Sequence, residues 1–321
     1  MEKAKDEETV KVKRLCVTDR PFTQIIQRNY LYVDKTKFIY DILNGYGYQS
    51  CFLSRPRRFG KTLLLDTMSE LFQGNRDLFK GLWIDKSDYQ FEKHPVLFLD
   101  MSYDDISSSE DLKNNIKDDL EEFADEHDIK LAKKSCGRML KQLLKKLYKK
   151  NKVGTVILVD EYDSPVTRYL SNLDLAIDNR QVLHDFYLSM KKNNRYVHFA
   201  FVTGISRFGL TSLDSGANNF KDISLMPEFA AICGFTSDEL ISFFSNRFTD
   251  TLTNLKSNKS IAWNAGHKAL MAKIHQWYDG YNWLGPDHVY NPFSIINFFD
   301  EKNNFARFGP CQVSRPICLL L

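Results

Sequence analysis

The chain has 321 residues, 43% of them hydrophobic, and its 44 Lys and Arg residues against 41 Asp and Glu leave a net charge of only +3. That length supports one large domain with an appended smaller one, and so slight a charge does not by itself demand a polyanion or a membrane surface. The six cysteines are scattered without a C-x-x-C pair, no apolar run approaches membrane length, and residues 1–8, M-E-K-A-K-D-E-E, are charged. This combination fits a chain with reduced thiols in the cytoplasm.

Taken in order, residues 1–20 read as a polar, mobile segment. Residues 22–43 read as a turn and a helix with Asp34 as N-cap, and residues 50–53 as a first apolar strand. The strand runs into R-P-R-R-F-G-K-T at residues 55–62, and a helix over 61–72 then places Leu64, Leu65, Met68, Leu71 and Phe72 on one face. Gly60-Lys61-Thr62 has the chemistry a triphosphate requires. A glycine lets backbone N–H groups approach phosphate oxygens, a lysine contacts the terminal phosphates, and a hydroxyl ligates Mg²⁺. Arg57, Arg58 and Phe59 complete the candidate loop. Its consensus first glycine is absent, because Arg55 stands five residues before Gly60.

Residues 95–102, P-V-L-F-L-D-M-S, read as a second strand, followed by two helices with Leu112, Ile116, Leu120 and Phe123 and then Leu140, Leu143, Leu144 and Leu147 in register. The second of these ends in Lys145, Lys146, Lys149, Lys150 and Lys152, the densest basic cluster of the chain. It reads either as a solvated face with cations at a helix C-terminus or as a contact for nucleic acid. Residues 155–161, T-V-I-L-V-D-E, form a strand apolar enough for burial on both faces, ending in Asp160 and Glu161. Open α/β sheets hold their ligands at such strand ends. Asp160 is expected to hold the Mg²⁺ shell and Glu161 to draw a proton from the attacking water.

A helix over 179–192 leads to a strand at 196–203 that runs into Gly204-Ile205-Ser206-Arg207. This strand tip reads either as an ordinary turn with a solvated arginine or, by similarity to ATPases with such an added strand, as the place where Thr203 or Ser206 faces a γ-phosphate and Arg207 reaches the charge developing there. A short strand is expected over 223–226. Strands alternating with helices predict a mostly parallel sheet flanked by helices. Similarity to P-loop ATPases with an added strand between the two motif strands implies that the strand at 196–203 lies between those at 50–53 and 155–160, with the strand at 95–102 beyond the latter. Further on, Thr236 and Glu239 form a capping box, Gly280 a helix C-cap, and Asn291-Pro292 a helix start. Trp277, Tyr278, Tyr281 and Trp283 read either as adenine-stacking groups or as packing between this helical part and the core.

Six strings occur in order: Y-V-D-K-T at 32–36, F-L-S-R-P-R-R-F-G-K-T-L-L-L at 52–65, V-D-E-Y-D at 159–163, T-G-I-S-R at 203–207, W-Y-D-G-Y at 277–281 and Y-N-P-F-S at 290–294. Together they resemble the bacterial AAA-ATPase-like family over residues 20–305, including its loop without the first glycine. The resemblance implies an α/β P-loop NTPase core at 21–227 and a helical lid at 228–305, with ATP and Mg²⁺ as cofactors. The activity implied is ATP hydrolysis driving a conformational switch. The alternatives are a nucleotide-dependent binding module with negligible turnover and an inactive remnant. A protein or nucleic-acid partner is implied without being specified. Many members continue into a restriction-like PD-(D/E)XK nuclease domain. Residues 306–321 depart from that pattern and read as a truncation, so nuclease activity is not expected of this chain.

Overall fold

The computed structural model describes residues 13–206, 220–257, 266–278 and 280–300. At its centre are β1 (Ser50–Ser54), β2 (Val96–Asp100), β3 (Thr155–Asp160), β4 (Val197–Gly204) and β5 (Lys221–Asp222), in the spatial order β2-β3-β4-β1-β5. All neighbouring pairs are parallel. The sheet is thus α/β with the expected strand order. Register brings Asp100 opposite Asp160 and Ser54 opposite Gly204, so the carboxyl ends of four strands finish at one edge.

The strand side chains alternate between two apolar layers, as the pleat requires. Leu97, Leu99, Ile157, Val159, Ala200 and Val202 face α4 (Ser109–Glu126), α5 (Cys136–Asn151) and α7 (Leu173–Lys192). Cys51, Leu53, Val156, Leu158, Phe199 and Phe201 face α1 (Phe22–Gln27), α2 (Thr36–Tyr40) and α3 (Lys61–Phe72). Every residue of β3 is buried, as befits a central strand covered on both sides. A short helix α6 (Ser164–Thr167) links β3 to α7.

Two expected boundaries shift. Helix α7 begins at Leu173, earlier than 179, because Leu173 and Ile177 lie on its solvent side and break the apolar period that marks a helix in sequence. The last strand is Lys221–Asp222, not 223–226. Ile223 still donates its N–H to Phe52 O at 3.0 Å, but the chain turns there. A third apolar cluster joins α8 (Ser237–Phe243), α9 (Ser245–Ser257), α10 (His267–Tyr278) and α11 (Pro292–Asp300), with a two-strand ladder of β6 (Phe235–Thr236) and β7 (Val289–Tyr290). The capping box at Thr236 and Glu239 is formed, and Asn291 accepts Ser294 N at 3.3 Å as α11 begins. No helix among the described residues is long and apolar enough to cross a membrane.

Gly204 ends β4 where the turn after β3 crosses it. A Cβ there would stand 2.4 Å from a Tyr162 ring carbon and 2.6 Å from Asp163 Oδ1. Overpacking of this kind costs about 2–3 kcal/mol. Gly204→Ala should therefore lower the urea midpoint correspondingly with an unchanged slope, as equilibrium unfolding would show.

Candidate functional site

The loop at 55–62 turns tightly between β1 and α3. Arg58 (φ 65°) and Gly60 (φ 89°) both adopt left-handed backbone as the loop turns into α3, whose first N–H groups have no acceptor within the helix. Lys61 is 4% exposed, and its ammonium donates to Pro56 O at 3.3 Å and stands 3.7 Å from Glu161 Oε1. Thr62 Oγ1 donates to Asp160 Oδ2 at 2.5 Å. The other oxygen, Oδ1, accepts the Thr203 hydroxyl and the Glu161 N–H, the latter at 2.9 Å. Lys61, Thr62, Asp160, Glu161 and Thr203 are therefore gathered at one place on the sheet edge.

Two details differ from a reading by strand alternation. Glu161 is not on the strand, which stops at Asp160. It stands in left-handed backbone with φ 48°, and that turn aims its side chain towards Lys61. Ser206 does not join Thr203. Its N–H and hydroxyl both donate to Asp163 Oδ2, at 2.8 and 2.7 Å. Arg207 lies outside the described residues. Burial raises the Glu161 carboxyl above its ordinary range. Lys61 opposes the shift, Asp160 and Asp163 add to it, and Arg57 opposes it weakly.

The unusual first position of the loop has a physical role. The Arg55 side chain is fully buried and donates to the carbonyls of Ser54 (2.8 Å), Ser224 (2.8 Å) and Phe229 (3.1 Å). Trp283 covers its guanidinium at 4.4 Å. Arg55 thus pins the loop to the segment after β5, where a glycine would leave those carbonyls unpartnered. Phe59 is buried against Tyr281, and its carbonyl accepts Gly234 N at 3.3 Å. Asn291 donates to Arg57 O at 3.3 Å, and Arg58 pairs with Asp19 at 2.8 Å. Arg57 itself is exposed. Tyr281 and Trp283 accordingly pack on the loop, while Tyr278 is buried in the helical cluster and Trp277 is 38% exposed.

A cavity of about 680 Å³ opens over Gly60, Lys61, Thr62 and Glu161, walled by residues 16–21 on one side and by Phe293, Ile296 and Asn297 on another. Cofactor pockets are commonly of this size. Four residues have partners that the sequence reading did not assign: Arg55, Asp163, Lys35 and Glu239. Lys35, within Y-V-D-K-T, is 8% exposed at the cavity wall and donates to both oxygens of Glu239 at 2.5 and 2.7 Å. Glu239 Oε2 also accepts Thr236 N at 2.8 Å, so one carboxylate both caps α8 and neutralises a core lysine. Burial pulls the Lys35 ammonium down from its ordinary value, and Glu239 pulls it back up.

Breaking one side of such a pair leaves a buried charge and costs about 3 kcal/mol. Lys35→Met and Glu239→Gln should each destabilise on that scale, and Lys35→Met with Glu239→Gln should lose markedly less than the two effects added. A double-mutant cycle in urea measures the difference.

Comparison with known proteins gives the chain a family. The chain is 34% identical over 293 residues to a protein of Azotobacter chroococcum mcd 1 described as "Uncharacterized protein in vnfD 5'region". The match covers 90% of this chain and 52% of the relative, so the chain spans about half the length of the curated relative it matches. A family model described as "Predicted AAA-ATPase" matches residues 17–214, which hold the loop, β3 and β4. The chain belongs to the AAA-ATPase-like family.

Proposed function

We propose that the chain binds Mg-ATP in the cavity above Gly60–Thr62 and hydrolyses it, using the cycle to change how the helical part at 228–305 sits on the core. The observation that carries this reading is the 2.5 Å contact of Thr62 with Asp160, beside Lys61 and Glu161. A hydroxyl and a carboxylate converging from a helix N-terminus and a strand end form the hard-oxygen donor set that suits Mg²⁺. Thr62 and Asp160 would hold the ion, which when bound would neutralise charge on the phosphate oxygens.

The protein's own groups then have distinct tasks. The Gly60–Thr62 backbone and Lys61 hold the phosphates, with Arg57 and Arg58 at the rim. Thr203, through its bond to the same carboxylate, keeps Asp160 in one orientation. Glu161 accepts the proton of the attacking water, and its raised carboxyl makes it a stronger base than an exposed glutamate. The loop's links to Gly234 and Asn291 provide the coupling, because any rearrangement of 57–59 must move or break them.

Lys61→Ala should abolish Mg-ATP binding in calorimetry. Glu161→Gln should keep binding and reduce turnover by roughly 10²-fold or more, the range for a positioned general base. Asp160→Asn should weaken Mg²⁺-dependent binding as well. Wild-type turnover by Glu161→Gln, with binding intact, would make the chain a nucleotide-dependent binding module instead.

The pH profile offers a separate check. A base acts only when ionised, and burial keeps Glu161 protonated over more of the acidic range. The acid limb of kcat/KM, which reports the free protein, should therefore fall at higher pH than for an ordinary glutamate, and Arg57→Gln should move it higher still. A limb at the ordinary glutamate position would remove Glu161 from the role.

A further inference from the structure

Helix α5 has a charge distribution that the nucleotide site does not use. It carries six cations and no carboxylate, whereas α4, packed beside it, carries eight carboxylates against two lysines. At 100° per residue, Arg138, Lys141, Lys145, Lys149 and the C-cap Lys152 fall within an arc of about 80°. The arc lies opposite the buried Leu140, Leu143, Leu144 and Leu147. All five cations are exposed, and none makes an ion pair among the described residues. Their neighbours differ: Lys146 and Lys150 bend back to the carbonyls of Lys130 and His127, both at 2.7 Å.

The stripe is about 21 Å long, one cation for every ~5 Å of helix. An ordinary solvated helix face mixes both signs. Here the signs are separated onto adjacent helices, which leaves a linear positive track with a negative flank. That flank repels an anion spread across the surface and confines it to the axis of α5. At the track's C-terminal end, Tyr148 is 39% exposed and packs on Tyr196 with ring centroids 5.5 Å apart. The Arg195 guanidinium lies 5.3 Å from the Tyr196 ring centre. A row of unpaired cations ending in an accessible aromatic ring is the arrangement that holds a phosphodiester strand and stacks one of its bases.

We propose that the α5 stripe binds single-stranded nucleic acid through its backbone, without sequence preference, with Tyr148 stacking on a base. The stripe feeds through Lys152 into the amino end of β3, at the opposite end of that strand from Asp160. Its substitution leaves the phosphate loop untouched.

The test is fluorescence anisotropy of the whole chain with a labelled mixed-sequence DNA strand of about 20 nucleotides, and with the matching duplex, between roughly 50 and 200 mM salt. Five phosphate contacts on a single strand predict a slope of log K against log salt of about −3.5. Lys141→Gln/Lys145→Gln/Lys149→Gln should weaken binding tenfold or more at low salt and reduce the slope to about −1.4, the value for two contacts. Tyr148→Ala should weaken the single strand and not the duplex. Mg-ATP affinity should be the same in both variants.

Lys86→Gln/Lys93→Gln/Lys268→Gln removes the same charge elsewhere and should leave binding unchanged. Equal loss in the two triple variants would reduce the effect to overall charge and overturn the proposal. So would an absence of salt-dependent retention. Salt-sensitive self-association lost in the stripe variant, without oligonucleotide binding, would also overturn it and assign the stripe to the acidic α4 of a second copy.

Discussion

The Asp160 carboxylate is the group on which the rest of the site depends. It is 2% exposed at the end of a fully buried strand, where an unpartnered charge would be strongly destabilising. Three donors meet it from three directions: the hydroxyl of α3's second residue, the hydroxyl near the end of β4, and the next residue's own N–H. Satisfying one carboxylate thus fixes the phosphate loop, β3 and β4 relative to each other. Register in the parallel sheet sets strand ends to within a residue, and these bonds tighten that to a chemical contact.

Around this centre the loop is held from outside as much as from within. A glycine-rich loop relies on backbone N–H groups and small residues to keep its shape. Here Arg55 supplies a buried guanidinium that binds three carbonyls, and Trp283, Tyr281, Asn291 and Gly234 close over the same turn. The Lys35–Glu239 pair adds a second tie between the core and the capped start of α8. The core and the helical cluster therefore meet through directed polar bonds as well as through the packing of Phe59 on Tyr281.

Much of this was legible from residue order. The strands, their alternation with helices and the capping box at Thr236 follow from local patterns whose physics is short-ranged, whereas strand order and the convergence of Thr62 with Asp160, 98 residues apart, were expected from the family resemblance. What was not legible is long-ranged. Arg55 reads as a departure from a loop pattern until the carbonyls it meets, about 170 residues later in the chain, are brought beside it. Lys35 and Glu239 are 204 residues apart, and the capping role of Glu239 that is legible locally says nothing of a lysine partner. Ser206 was expected beside Thr203, but a neighbouring carboxylate, Asp163, competes for its hydroxyl. The early start of α7 was hidden because exposed Leu173 and Ile177 obscure the period on which helix recognition rests.

The backbone at Glu161 carries a different implication. A side chain as long as glutamate is rarely found at φ 48°, a conformation that glycine and asparagine adopt with less strain. Its carboxylate is, in addition, partly desolvated at the cavity wall. Folding alone would therefore favour a different residue at this position, and a protein selected only for thermal resistance would drift away from glutamate here. Under the proposed role of Glu161 as base, activity and robustness would pull against each other at this residue. The proposed base would thus be held at position 161 by selection on turnover, against the preference of the fold.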